Sequence, residues 1–282
     1  MRNILYHRSL LYLCNTYTQF MRKSFYSIVT MVLFLVSCSQ KSTDKVSSTI
    51  NFPKGFTQTL VLGTETSANK QGSFEEMSYV HFQLDEVTAD STFVFTGKVT
   101  RMQYKSDIFG EKESLDTEVI QSLNSTKRLS ATELEMYNDI KQYLDKEFTL
   151  TLDKYGNIIK EAQFKGDDSY LYDTSFVDQY TPVPLAFPKE KLAVGTTWDF
   201  NTENPLIASQ KIKYVYTVDD ITEDRIFVDV EMTIDGFAGM LKKNKAKGIY
   251  EIDRKTKRFI KGERTMNIQT GGGKAIYKIY EL

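Results

Sequence analysis

The chain has 282 residues, 41% of them hydrophobic, with 36 basic and 37 acidic residues and two cysteines. That charge balance excludes the basic surface on which nucleic-acid binding depends, and two cysteines are too few for a disulfide-built scaffold. The apolar share is close to the globular norm and fits one large folded domain or two small ones.

The first organised stretch is a leader. "MRK" supplies Arg22 and Lys23, and the uncharged run "FYSIVTMVLFLV" (Phe25 to Val36) follows before Ser37 and Cys38. Twelve apolar residues are too few to span a bilayer comfortably. A basic region, an apolar core and a small residue before the processed position together make a secretory signal. Its ending, "LVSC", resembles the lipobox of bacterial lipoproteins. The resemblance implies cleavage between Ser37 and Cys38, with Cys38 diacylated on sulfur and serving as the new N-terminus. A buried core strand is the competing assignment, but it needs neither a basic prefix nor a polar spacer. The signal is complete from Met21, so translation is expected to start there, with residues 1–20 an upstream extension or an unusually long basic region. Cys14 leaves with the leader in either case. So do Arg2, Arg8, Arg22 and Lys23, which leaves 32 basic against 37 acidic residues, a formal charge of −5. Ser39 is not the aspartate that, by resemblance to enterobacterial lipoproteins, retains a lipoprotein in the inner membrane. No acidic cluster follows at once, as in some surface-exported lipoproteins. The expected location is the outer membrane, facing the periplasm, with the membrane engaged through the lipid anchor.

Residues 39–55 are rich in Ser, Thr and Lys without hydrophobic periodicity, and read as a flexible tether. The body divides into a first β half, 56–180, and a second, 181–282. In the second, "KIKYVYTV" puts Ile212, Tyr214, Tyr216 and Val218 on one face at period two, and "RIFVDVEMTI" does the same from Ile226 to Ile234. The polar "DDITED" between them predicts a hairpin. "FQLDEVTADSTFV" (Phe82 to Val94) aligns without gaps on "YTVDDITEDRIFV" (Tyr216 to Val228), placing Phe93 on Phe227. "FTLTLDKYGNIIK" echoes "GIYEIDRKTKRFIK", each a strand, an Asp-led turn and a strand. The pattern points to an internal duplication, with chance similarity between hairpins as the alternative. One principal helix interrupts the first half from Ser130 to Lys146, opened by a capping box with Glu133. A shorter one is expected at "LDTEVIQSL", with Leu115, Val119 and Leu123 on one side. The fold class is therefore mainly β: two related, curved, half-barrel-like antiparallel sheets with one principal inserted helix.

Candidate chemistry is sparse. Beyond the leader the sole histidine is His81, on a strand face expected to meet solvent, so no histidine-dependent nucleophile or zinc site can be assembled. "TGGGK" (Thr270 to Lys274) lacks the Ser or Thr and the helix of a phosphate loop, and reads as a hairpin turn. The acids Asp167, Asp168, Asp173 and Asp178 match no calcium-loop spacing and read as a solvated connection. The 17 Tyr and 18 Phe read first as strand and core formers, and second as the lining of a greasy or sugar-stacking pocket. No catalytic residue, cofactor or metal site is assigned.

"TPVPLAFPKEKLAVGTTWDF" carries a family resemblance. The Pro-rich lead-in, Pro188, and Val194-Gly195-x-x-Trp198 resemble the central motif of an uncharacterised family of Bacteroidetes envelope lipoproteins. Thr196 stands where that family often has Asp. The resemblance spans Phe56 to the C-terminus in order of elements and brings no known activity. In physical terms, Pro188 ends an extended segment, Gly195 turns the chain, and Trp198 begins a strand and is expected at the seam between the halves. The leading expectation is a non-enzymatic binding or scaffold module, with an apolar ligand or an envelope protein as partner. A carboxylate hydrolase built on Asp167–Asp178 is the enzymatic alternative.

Overall fold

Segments in which Val, Ile, Phe, Tyr and Thr recur at period two bury one face and wet the other, the condition for antiparallel strands. The computed structural model describes residues 44–68, 72–123, 126, 129–166, 180–204, 207–234, 244–268 and 272–282. Among them are β1 Thr57–Ala68, β2 Gly72–Val87, β3 Phe93–Ile108, β4 Glu111–Asp116, α1 Thr117–Leu123, α2 Ala131–Ile140, β5 Glu147–Leu152 and β6 Ile158–Phe164. The second half contributes β7 Thr197–Asn204, β8 Ile207–Ile221, β9 Arg225–Ile234, β10 Asn244–Asp253, β11 Phe259–Ile268 and β12 Gly273–Glu281. The fold is mainly β and antiparallel, as the alternation implies.

The strands lie in the order β6-β5-β3-β2-β1-β12-β11-β10-β9-β8-β7, with β4 on the far part of β3. Each half is a five-strand meander, β1-β2-β3-β5-β6 and β7-β8-β9-β10-β11. The halves do not form two separate sheets. β12 pairs with β11 on one side and β1 on the other, so both meanders share one unclosed sheet whose edges are β6 and β7. Residues 44–282 make one compact unit.

The relation between the halves extends to backbone detail. A register shift after Leu84 on β2 recurs after Val218 on β8. In the following turns, Thr88 accepts from the Thr92 amide and Thr222 from the Arg225 amide. Asp153 and Asp253 each gather backbone amides of their own turns, from Tyr155 and Asn157 in one and Lys255 and Thr256 in the other. The gapless alignment fails at one place. Val87 pairs with Phe93 but Ile221 pairs with Ile226, so the first turn is one residue longer and takes Ser91 through φ 64°. Phe93 thus corresponds to Ile226, both buried, and not to Phe227.

The insert is shorter than its periodicity suggests. Ser130 and Glu133 form the capping box, with Ser130 Oγ accepting the Glu133 amide at 3.1 Å and Glu133 accepting the Ser130 amide at 2.8 Å. The helix ends at Ile140 rather than Lys146. Beyond it the Tyr143 amide bonds to the Ile140 carbonyl, Asp145 takes φ 58°, and Leu144 bridges to Val99. Burying Leu144 under β3 wins over another helical turn. In α1 the buried side is Thr117 and Ile120, while Val119 and Leu123 are exposed, opposite to the expected face.

The supposed tether also differs from expectation over its described part. Val46 pairs with Leu192, and Ser48, Ile50 and Phe52 are buried. Phe52 stacks on Phe56 at 4.4 Å and meets Phe93 and Phe95 edge-on. Ser, Thr and Lys dominate this stretch, but two apolar side chains suffice to seat it on the core. Val183, Leu185, Phe187 and Leu192 from the connection between the halves join the same core. No helix among the described residues is long and apolar enough to cross a membrane.

Candidate ligand-binding site

Several residues singled out in the sequence lie outside the described residues: Ser37, Cys38, the acids from Asp167 to Asp178, and Thr270. Of the rest, Gly195 turns the chain at φ 86°, as expected, and its amide donates to the Val218 carbonyl. Trp198 is the second residue of β7, half-buried, donating its indole N–H to the Ala186 carbonyl at 2.7 Å and stacking between Phe187 and Tyr216. It is not at the seam. The seam is β1 with β12, whereas Trp198 sits on the edge strand, against the connection that contains Pro188. His81 is half-buried, with Nδ1 3.0 Å from Thr59 Oγ1. β12 begins inside the "TGGGK" stretch, at Gly273, and pairs antiparallel with β11 from Ile268 on, as a hairpin does. Among the described residues no cluster of three or more His, Cys, Asp and Glu could hold a metal.

The unforeseen feature is Arg264. Cross-strand partners on antiparallel strands share a face, and one such row runs Trp198, Tyr216, Val230, Gly248, Arg264 and Tyr277 from β7 to β12. Tyr216 and Tyr250, one pair further along β10, are buried. Tyr214 stacks on Tyr216 with planes 2° apart. The Arg264 guanidinium lies 5.4 Å from the Tyr277 ring, 5.6 Å from Tyr214 and 5.9 Å from Tyr250. Cation–π attraction of this kind contributes about 0.5–2 kcal/mol per contact. Among the described residues its hydrogen-bond acceptors are the Met232 sulfur, at 3.3 Å, and the Tyr214 phenol, and no carboxylate faces it. By contrast, Arg101, Arg225, Arg254 and Arg258 each reach an acid.

Electrostatics sharpen the niche. Burial raises the Tyr216, Tyr250 and Tyr277 phenols, so all three stay neutral at physiological pH. Burial works against the arginine's charge, yet the surrounding phenols of Tyr250 and Tyr214 outweigh it, and the guanidinium remains a cation. Its neighbours are neutral at physiological pH, so the guanidinium keeps an uncancelled charge that an anion can pair with. Its planar fork suits a carboxylate or phosphate held by two parallel hydrogen bonds.

Two glycines, Gly248 in this row and Gly262 in the next, let neighbouring atoms approach the strands closely. A Cβ on Gly248 would fall 1.8 Å from the Glu263 carbonyl oxygen, so the backbones of β10 and β11 meet there without a side chain. A Cβ on Gly262 would lie 2.3 Å from the Tyr250 ring, which covers that position. Beyond Arg264, the buried Ile212, Met232, Ala246, Met266 and Ala275 form a second, small apolar cluster. Methionines in such a surface adapt readily to a ligand of irregular shape.

Arg264 carried no signal in the sequence because it sits mid-strand in "IKGERTMNI" among alternating polar residues. The tyrosines were read there first as strand and core formers, and only second as the lining of a pocket. Compared with known proteins, the chain matches no family model and no curated protein.

Proposed function

We propose that this chain is a lipid-anchored lipoprotein of the cell envelope, held through Cys38 at the outer membrane and facing the periplasm. In this reading it is a non-enzymatic binding module for an amphipathic ligand with an anionic head and an apolar body. The observation that carries it is the Arg264 guanidinium, ringed by neutral tyrosines and facing no carboxylate among the described residues. The anion would pair with Arg264, and the apolar body would lie along the adjoining apolar positions of β11 and β12, Met266 and Ala275. The signal-like leader and the central motif's resemblance to Bacteroidetes envelope lipoproteins support the location.

Two measurements test the two parts. Labelled palmitate should enter the full chain, and Cys38→Ala should leave an unlabelled, unprocessed precursor; a normal-sized soluble product from the variant sinks the anchor. Native mass spectrometry of gently purified protein should reveal a bound anionic lipid that Arg264→Gln loses. A stoichiometric protein in its place favours a partner-binding scaffold and overturns the ligand assignment.

A further inference from the structure

We propose that the site is two-ended, with Glu76 receiving a cationic group at the opposite end of the ligand whose anion meets Arg264. The inference rests on the Arg264 assignment above and specifies the ligand class: an amphiphile with an anionic and an amine terminus, separated by an apolar chain. Arg264 on β11, Tyr277 on β12, Thr64 on β1 and Glu76 on β2 are successive cross-strand partners. All four therefore project from the same face, the one that carries the core. Three strand spacings separate the two charges, about 14 Å along the sheet.

Glu76 is unlike its neighbours. Glu75 and Glu65, on the opposite face, pair with Lys105 and Lys278. Glu76 is half-buried beside Thr64 and Tyr104, and among the described residues no hydrogen bond or ion pair reaches its carboxyl. Phe74 and Tyr104, packed edge-on at 5.1 Å, wall its outer side. Burial raises its pKa, the response of a carboxyl that has lost water and gained no cation. One row of the inner face thus holds a cation and a carboxyl, each without an oppositely charged protein partner among the described residues and too far apart to meet. Tyr277 and Thr64, both half-buried, lie between them. A ligand with charges of both signs satisfies both ends at once; a simple fatty acid satisfies only Arg264.

The seam makes this arrangement. β12 and β1 come from opposite ends of the chain, and their pairing brings the second half's arginine and the first half's glutamate into one row. Neither half holds both groups.

Two probes of equal chain length, dodecanoate and 12-aminododecanoate, separate the claims. Titrated into the full chain carrying Cys38→Ala, which removes acylation, the amino acid should bind at least tenfold tighter at neutral pH. Glu76→Gln should erase that preference and keep dodecanoate binding, while Glu76→Asp should keep part of it. Equal affinity for the two probes, with dodecanoate binding lost in Arg264→Gln, overturns the role of Glu76 and leaves Arg264 standing. Failure of both probes to bind overturns both assignments. The thermal midpoints of the variants show that each remains folded.

Discussion

The two halves of the sheet use one strand plan for opposite ends. Register matches the row Gln58, Phe82, Gly97, Phe148 and Phe164 of the first half to Trp198, Tyr216, Val230, Gly248 and Arg264 of the second. In the first half the Phe148 ring lies over Gly97, whose Cβ would come within 2.4 Å of it, and Phe82 and Phe164 meet that ring edge-on. The row is filled by hydrocarbon. In the second half glycine stands where Phe148 was, arginine where Phe164 was, and tyrosine where Phe82 was. The same backbone then carries a niche lined with hydroxyls and one cation. Glycine in place of the ring removes the hydrocarbon that fills the first half's row, and tyrosine in place of phenylalanine adds a polar edge. A packed core and a binding site differ here by a handful of side chains.

Breaking the filled row should cost most. Phe148→Ala empties the first half's centre and should destabilise the protein by about 3–5 kcal/mol. Thermal melts should drop by about 10 °C. In contrast, Arg264→Met should leave the melt nearly unchanged, since an apolar side chain in place of a half-buried, unpaired charge is often neutral or stabilising. A large loss from Arg264→Met would make that row as structural as its counterpart.

Trp198→Ala comes next. It removes a half-buried indole and its bond to Ala186, worth about 2–3 kcal/mol together. Trp198→Phe should recover most of that loss, because the stacking between Phe187 and Tyr216 survives. The native fluorescence should be blue-shifted relative to the unfolded chain. Emission typical of free indole, with a normal melt for the alanine variant, would place Trp198 on the surface.

The turns offer a third contrast. Lys257, at φ 66° and buried, stands where the first half has Gly156 at φ 85°. Its ammonium donates to the Arg254 carbonyl. Burial lowers its pKa from 10.5 to about 8, with Asp253 opposing. Because the unfolded chain holds the proton more tightly, stability should rise as pH climbs from about 8 to 10.5. The penalty is present in full below about 8. The rise is on the order of 1–3 kcal/mol, and Lys257→Met should abolish it in denaturant titrations compared across that range. A flat profile in the wild type would show that the amine is solvated.

The smallest effect belongs to the insert between β3 and β5. Ser130→Ala removes the helix cap and should cost about 1 kcal/mol locally. Faster amide exchange confined to α2 is the expected signature. Glu133→Ala should do more, because that carboxylate also accepts the Ser114 amide of β4. Exchange spreading into β5 would instead make the insert part of the first half's core.

Much of the architecture was legible from local chemistry. Period-two alternation marks β8 and β9 without any partner, because an antiparallel strand with one wet face must alternate. The Ser130 capping box, the Gly195 turn and the paired Asp153 and Asp253 turns are likewise decided by neighbours within a few residues. The helix end at Ile140 was not, since it depends on where Leu144 meets Val99. Nor was the seating of Ile50 and Phe52, whose polar neighbours disguise two anchors. The position of Trp198 on an edge and the union of the halves through β12 and β1 depend on which strands close against each other. Arg264 and Glu76 show the limit most plainly. Each is an ordinary charged residue of an alternating strand, 188 positions apart in the chain. Only the pairing of the first strand with the last places them on one face, because register across a sheet is a long-range property that no local pattern encodes.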